Sequence, residues 1–164
     1  MDRINLICNN IGARERGGKW MASTIENTLV HALFFSRHLK YCDLPCVVVA
    51  VLMELGVPTK TAGFDYIKTA ILVFMEDQTQ MVTKDLYPTV AKAYTSKPGY
   101  AQIEKGIRRA ISEAWARRDN DIWKCYFSAN KDGNIEKPTN AEFISRIARF
   151  IELWQGCCKE VNDG

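Results

Sequence analysis

The chain has 164 residues, enough for one domain with a sizeable core and a modest extension, and its 47% hydrophobic and 25% charged residues are the balance of a globular protein without low-complexity tracts. No run approaches the roughly 18–20 apolar residues of a membrane span; the best candidate, Leu44–Met53, is shorter and ends at Glu54, so a membrane is excluded as partner. The net charge of +3 is weak, and Met1–Asn10 lacks the extended apolar stretch of a secretory leader, so the cytoplasm is the expected location and Cys8, Cys42, Cys46, Cys125, Cys157 and Cys158 read as free thiols.

Residues 1–20 lack periodicity and read as a loose arm. Ser23-Thr24-Ile25-Glu26 is a capping box, with Ser23 as N-cap and Glu26 reaching back. Ile25, Leu29, Leu33 and Phe34 then recur at helical spacing, so a helix is expected to about Lys40. Asp43 and Pro45 open a second helix, which Gly56 and Pro58 close. A third is expected from Gly63, with Tyr66, Ile67, Ala70, Ile71 and Phe74 along one side. A short helix follows around Thr83–Tyr94, with Pro88 in its first turn, where a missing N–H is harmless.

Thr95-Ser96-Lys97-Pro98-Gly99 is a turn by composition. A longer helix runs over about 100–117, and a short one near Asp121–Phe127. Lys131-Asp132-Gly133-Asn134 reads as an exposed loop or small wing. Thr139-Asn140-Ala141-Glu142 is another capping box, opening a helix that carries Phe143, Ile144, Ile147, Ala148, Phe150 and Ile151. No strand pattern or internal repeat appears. The expected fold is all-α: a bundle of about six helices with a helix-turn-helix, plus an extra N-terminal helix.

The chemistry concentrates in the helix at 100–117. Between Lys84 and Arg118 eight basic residues face three acidic ones, a local +5 that leaves the rest of the chain at −2. Such concentration is the footprint of a phosphate-binding face. Ile103, Ile107, Ala110, Ile111, Ala114 and Trp115 form one stripe at about 100° per residue. Gln102, Lys105, Arg109 and Ser112 occupy the opposite side, with Arg108 on its flank. A short helix, a turn, and a long helix with an apolar inner side and a Gln/Lys/Arg outer side is what reading the major groove requires. The same pattern also suits an ordinary amphipathic helix in a bundle.

From about Val48 to Leu153 the chain resembles the C-terminal effector domain of the stage-zero sporulation response regulator. The resemblance is carried by Glu54-Leu55-Gly56-Val57-Pro58, Leu86-Tyr87-Pro88 with Val90-Ala91-Lys92, Ile103-Glu104 with Ile107-Arg108, Ala110-Ile111 with Ala114-Trp115, and Lys137-Pro138-Thr139-Asn140 with Glu142-Phe143-Ile144. It implies a six-helix DNA-binding transcriptional regulator of sporulation that binds a short promoter element in double-stranded DNA, often as tandem copies. Glu104, Lys105 and Arg108 fall at the family's base- and phosphate-contacting positions, and Lys137 at that of a backbone-contacting lysine. Arg117–Phe127 corresponds to the part that meets RNA polymerase, through its sigma subunit. The chain departs from the family in having lysine at 105 instead of arginine, a longer turn at Thr95–Ala101, and Gly106 inside the reading helix, which costs up to about 1 kcal/mol relative to Ala.

Residues 1–43 are expected to hold the arm and helix and no receiver domain, 44–155 the effector domain, and 156–164 a tail. The leading helix either packs against the effector core or pairs two copies as a homodimer. His38, Cys42 and Cys46 fall at i, i+4, i+8, with Cys157–Cys158 to complete a set. Pro45 interrupts that series and no paired zinc spacing is present, so neither metal nor cofactor is expected. Without a nucleophile motif or a glycine-rich phosphate loop, no catalytic residue is assigned. The alternative to groove reading is a protein-interaction module of the same fold that binds RNA polymerase or a related regulator; salt dependence separates the two.

Overall fold

The computed structural model describes Thr28, His31, Ala32, Phe35, and residues 39–78 and 82–162. The arm at residues 1–20 and the capping box at Ser23–Glu26 lie outside the described residues, as do His38 and most of the leading helix.

The first complete helix, α1 (Leu44–Glu54), begins where the Asp43 carboxylate accepts the Cys46 N–H at 3.0 Å, with Pro45 in its first turn. It ends in a Schellman motif: Val57 N–H reaches the Leu52 carbonyl and Gly56 N–H the Met53 carbonyl, each at 3.0 Å. The motif requires a left-handed residue, which Gly56 supplies at φ +76° without strain. Helix α2 (Ala62–Glu76) is capped by the Thr61 hydroxyl, one residue before the expected start. It is the central element, packing against α1 and against the helices at Tyr87–Lys92, Tyr100–Ala116 and Asn140–Asn162.

The short helix expected around Thr83–Tyr94 divides in two. A π-type turn, Val82–Leu86, runs directly into α3 (Tyr87–Lys92), with Pro88 in the first turn of α3. After a turn at 93–99 come α4 (Tyr100–Ala116), α5 (Asn120–Lys124) and α6 (Asn140–Asn162). Helix α5 is capped by the Asp119 carboxylate, which accepts the Asp121 N–H at 2.9 Å. The capping box of α6 forms as expected: Thr139 N–H donates to the Glu142 carboxylate at 2.8 Å, and Glu142 N–H to the Thr139 hydroxyl at 3.3 Å. Two bonds from Thr139, one from its N–H and one from its hydroxyl, hold the Glu142 carboxyl below the usual glutamate range. Helix α6 runs on past residue 155, where the sequence suggests a tail, because Cys157 continues its buried stripe beyond Trp154.

The core lies between α2, α4 and α6. The α5 corner is pinned by Trp123, fully buried, whose Nε1–H donates to the Leu55 carbonyl at 3.2 Å and whose ring stacks on Phe127 at 5.1 Å. The leading helical residues cover the neighbouring surface. Thr28 donates its hydroxyl to the Cys125 carbonyl at 2.7 Å, and His31 Nε2 lies 2.9 Å from a Glu54 carboxylate oxygen that also accepts the Tyr126 O–H. Ala32 and Phe35 are buried there, Phe35 edge-on to Phe150. Burial, followed by the charge of Glu54, pushes the Tyr126 hydroxyl far up, so it remains a donor.

Among the described residues no strand occurs, no helix is long and apolar enough to cross a membrane, and no three of His, Cys, Asp and Glu are grouped to hold a metal ion. Cys42, Cys46, Cys125 and Cys158 are free thiols.

Candidate nucleic-acid interface

Helix α4 owes its position to its inner side. Of the stripe the sequence anticipates, Ile103, Ile107, Ala110, Ile111 and Ala114 are all buried, and Trp115 at its end is half-buried. Gly106 lies between that stripe and solvent, where α4 crosses α2. A β-carbon at Gly106 would come within 3.0 Å of the Tyr66 ring. One at Gly63 would lie 2.3 Å from the Gly106 carbonyl oxygen, a separation no real side chain tolerates. The glycine that looks like a defect in the sequence is therefore half of a close glycine–glycine crossing. Its propensity cost accompanies a close backbone approach that a larger residue at Gly63 would prevent and that a β-carbon at Gly106 would crowd through the Tyr66 ring.

The outer side of α4 carries the expected residues. Gln102, Lys105 and Arg109 are exposed along its crest. Arg108, its side chain 62% exposed, donates to the carboxylate of Glu104, which is 22% exposed, one helical turn earlier. An exposed pair of this kind adds only about 0–1 kcal/mol, but it fixes the direction of the guanidinium. Ser112 donates its hydroxyl to the Arg108 carbonyl at 2.7 Å and in turn accepts from the Lys137 ammonium at 2.6 Å. Lys137, 25 positions later and on the loop before α6, is thus drawn onto the C-terminal half of α4.

The six expected residues separate into two groups. Gln102, Lys105 and Arg109 form the crest. Glu104, Arg108 and Lys137 line one depression of about 360 Å³ together with Tyr87, Tyr100 and Asn140. Not all of the basic excess serves this surface. Arg118 lays its guanidinium over the Trp115 ring at 3.8 Å and donates to the Trp115 carbonyl at 2.9 Å, closing the end of the helix.

Two residues of the site escape sequence reasoning. Asn140 uses its side-chain amide to donate to the Tyr87 hydroxyl and to the Glu104 carbonyl, both at 3.2 Å, and so ties α3, α4 and α6 together. Its position inside a capping box explains the helix start and conceals this second role. Tyr100, half exposed, reads in the sequence only as the first residue of a helix. Burial raises the Tyr87 hydroxyl above its ordinary range, and the Asn140 amide partly offsets this.

A short helix, a turn and a long helix, buttressed on one side and basic on the other, define a helix-turn-helix domain within an all-α bundle. Residues 48–151, well over half of the chain, match the family described as Sporulation initiation factor Spo0A C terminal, and the chain belongs to this family. It therefore carries a DNA-binding domain that regulates transcription in sporulation, and not a domain of a known enzyme family. The match begins within α1 and ends within α6, leaving the leading helical residues and the end of α6 outside it.

Proposed function

We propose that α4 lies in the major groove of a short promoter element, with Gln102, Lys105 and Arg109 directed at base edges and Arg108 and Lys137 at phosphates. Gln102 suits adenine and Lys105 guanine, while Glu104 accepts from a cytosine amino group and orients Arg108. The observation that carries this reading is the exposed basic crest on a helix whose opposite side is buried from Ile103 to Ala114. A lysine at 105 presents one point charge where arginine would present a bidentate fork, so guanine is read with less geometric restriction. The exposed residues Arg117, Asp119, Asn120 and Asp121, beside the buried Trp123 corner, form the surface for the polymerase sigma subunit. Tandem elements place two copies side by side on DNA as a homodimer.

Selection of bound sequences from random DNA, followed by affinity measurements over a salt series, tests the reading. Log affinity should fall linearly with log salt at about −0.9 per phosphate contact. Lys137→Ala should weaken all sequences alike and reduce the slope by about one, whereas Lys105→Ala should cost about 1–3 kcal/mol and relax the choice at one base position. Binding indifferent to salt and to both substitutions would overturn groove reading and leave a protein-interaction module of the same fold.

A further inference from the structure

Three large hydrophobic side chains are exposed among the described residues: Tyr41, Met53 and Tyr100. The first two belong to α1 and the turn before it. Tyr100 is the first residue of α4, and the N-terminal residues of a reading helix are the ones that reach base edges. A single exposed ring is ordinary in a soluble protein; this one is also held in place. Its ring packs on that of Tyr87 with centroids 5.2 Å apart, and Tyr87 is itself buried and receives the Asn140 amide at 3.2 Å. The approach is open, since Gly99 ahead of it has no side chain and nothing within 4 Å of where a β-carbon would stand. Tyr100 also shares the depression that holds Glu104, Arg108 and Lys137.

We infer that Tyr100 is a specificity-determining residue whose ring packs against the C5 methyl group of a thymine at the edge of the bound element. This rests on the groove reading given above and names one base it selects. The other polar groups of the depression are bonded to one another: Arg108 to Glu104, Lys137 to Ser112, Asn140 to Tyr87 and to the Glu104 carbonyl. Tyr87, Ile111 and Pro138 also line the depression but are buried, which leaves the half-exposed Tyr100 ring as its large accessible apolar group, and in the major groove thymine is the base that presents a methyl group. The ring already rests on Tyr87 before DNA arrives, so the contact costs less side-chain ordering than a free ring would.

The test uses the full chain and a duplex recovered by selection, in which each thymine is replaced in turn by uracil, which lacks only the methyl. One such replacement should weaken the unaltered protein about fourfold, the worth of burying one methyl group. Tyr100→Ala should weaken binding to the thymine duplex by a similar factor and abolish the thymine–uracil difference, and Tyr100→Phe should preserve it. If no position distinguishes thymine from uracil while Lys105→Ala still relaxes base choice, the role of Tyr100 is refuted and groove reading stands. Equal losses by Tyr100→Ala on both duplexes refute it too, marking a sugar or phosphate contact. If selection returns no preferred sequence and Lys105→Ala changes nothing, groove reading fails and the Tyr100 assignment with it. The uracil series needs no variant, so it decides the matter even if Tyr100→Ala folds poorly.

Discussion

The two sides of α4 obey different physics. On the inner side position is decided by volume: Ile107 is fully buried, and Gly106 meets α2 at a distance set by the absence of side chains. On the outer side Gln102, Lys105 and Arg109 stand in water, where charge matters and packing does not. The difference teaches that an inner substitution acts on DNA indirectly, by moving or loosening the helix. An outer one acts directly and leaves the fold alone.

Five tests would break or sharpen that contrast. Ile107→Ala should have the largest effect, about 2–5 kcal/mol of lost stability in urea unfolding, because the cavity it leaves lies between closely packed helices. Gly63→Ala should follow at about 1–3 kcal/mol, since the new methyl meets backbone, which yields less than a side chain. It should also weaken DNA binding without touching a charge. Gly106→Ala is the instructive partner. Its gain in helix propensity, about 1 kcal/mol, is opposed by a Tyr66 ring held edge-on against Tyr94, whose hydroxyl is bonded to Thr69 at 2.8 Å. Gly106→Ala should therefore fall well short of that gain.

Thr139→Ala should cost about 0.5–2 kcal/mol through loss of the α6 cap. This contribution depends on pH. Because Glu142 titrates below its ordinary value in the folded chain, the stabilisation is present above the usual glutamate range and is lost as pH falls through the lowered value. A urea series from neutral to acid pH should show the unaltered protein losing part of its advantage over Thr139→Ala, the part carried by the bond from the Thr139 hydroxyl to the Glu142 carboxylate. The smallest effect on stability belongs to the crest: Lys105→Ala and Arg109→Ala should each stay within about 0.5 kcal/mol. Near-native unfolding with altered DNA binding would confirm the division between the sides; a loss comparable to Gly63→Ala would break it.

The features legible in the sequence are those written in local spacing. Asp43, Gly56, Pro88 and the box at Thr139–Glu142 announce their helix ends because capping is settled within a few residues. The α4 stripe announces itself because its period is that of the helix. The hidden features depend on partners far along the chain. Gly106 looks like a flaw until Gly63, more than forty positions earlier, is seen against it. Family resemblance assigns Lys137 to the interface, but its bond to Ser112 has no sequence signal. Asn140 reads as part of a cap and works as a brace. The π-type turn at Val82–Leu86 and the continuation of α6 past Trp154, with Cys157 buried, carry no local signal that periodicity alone encodes.

The brace at Asn140 has a mechanical consequence. One amide joins the segment ahead of the turn, α4 and the start of the last helix, so the three share a single orientation, and under the proposed groove reading the bundle would meet the duplex as one unit. Any mismatch of curvature between bundle and groove then has to be absorbed by the double helix. Operators rich in flexible pyrimidine–purine steps should accordingly be favoured even at bases the side chains never touch.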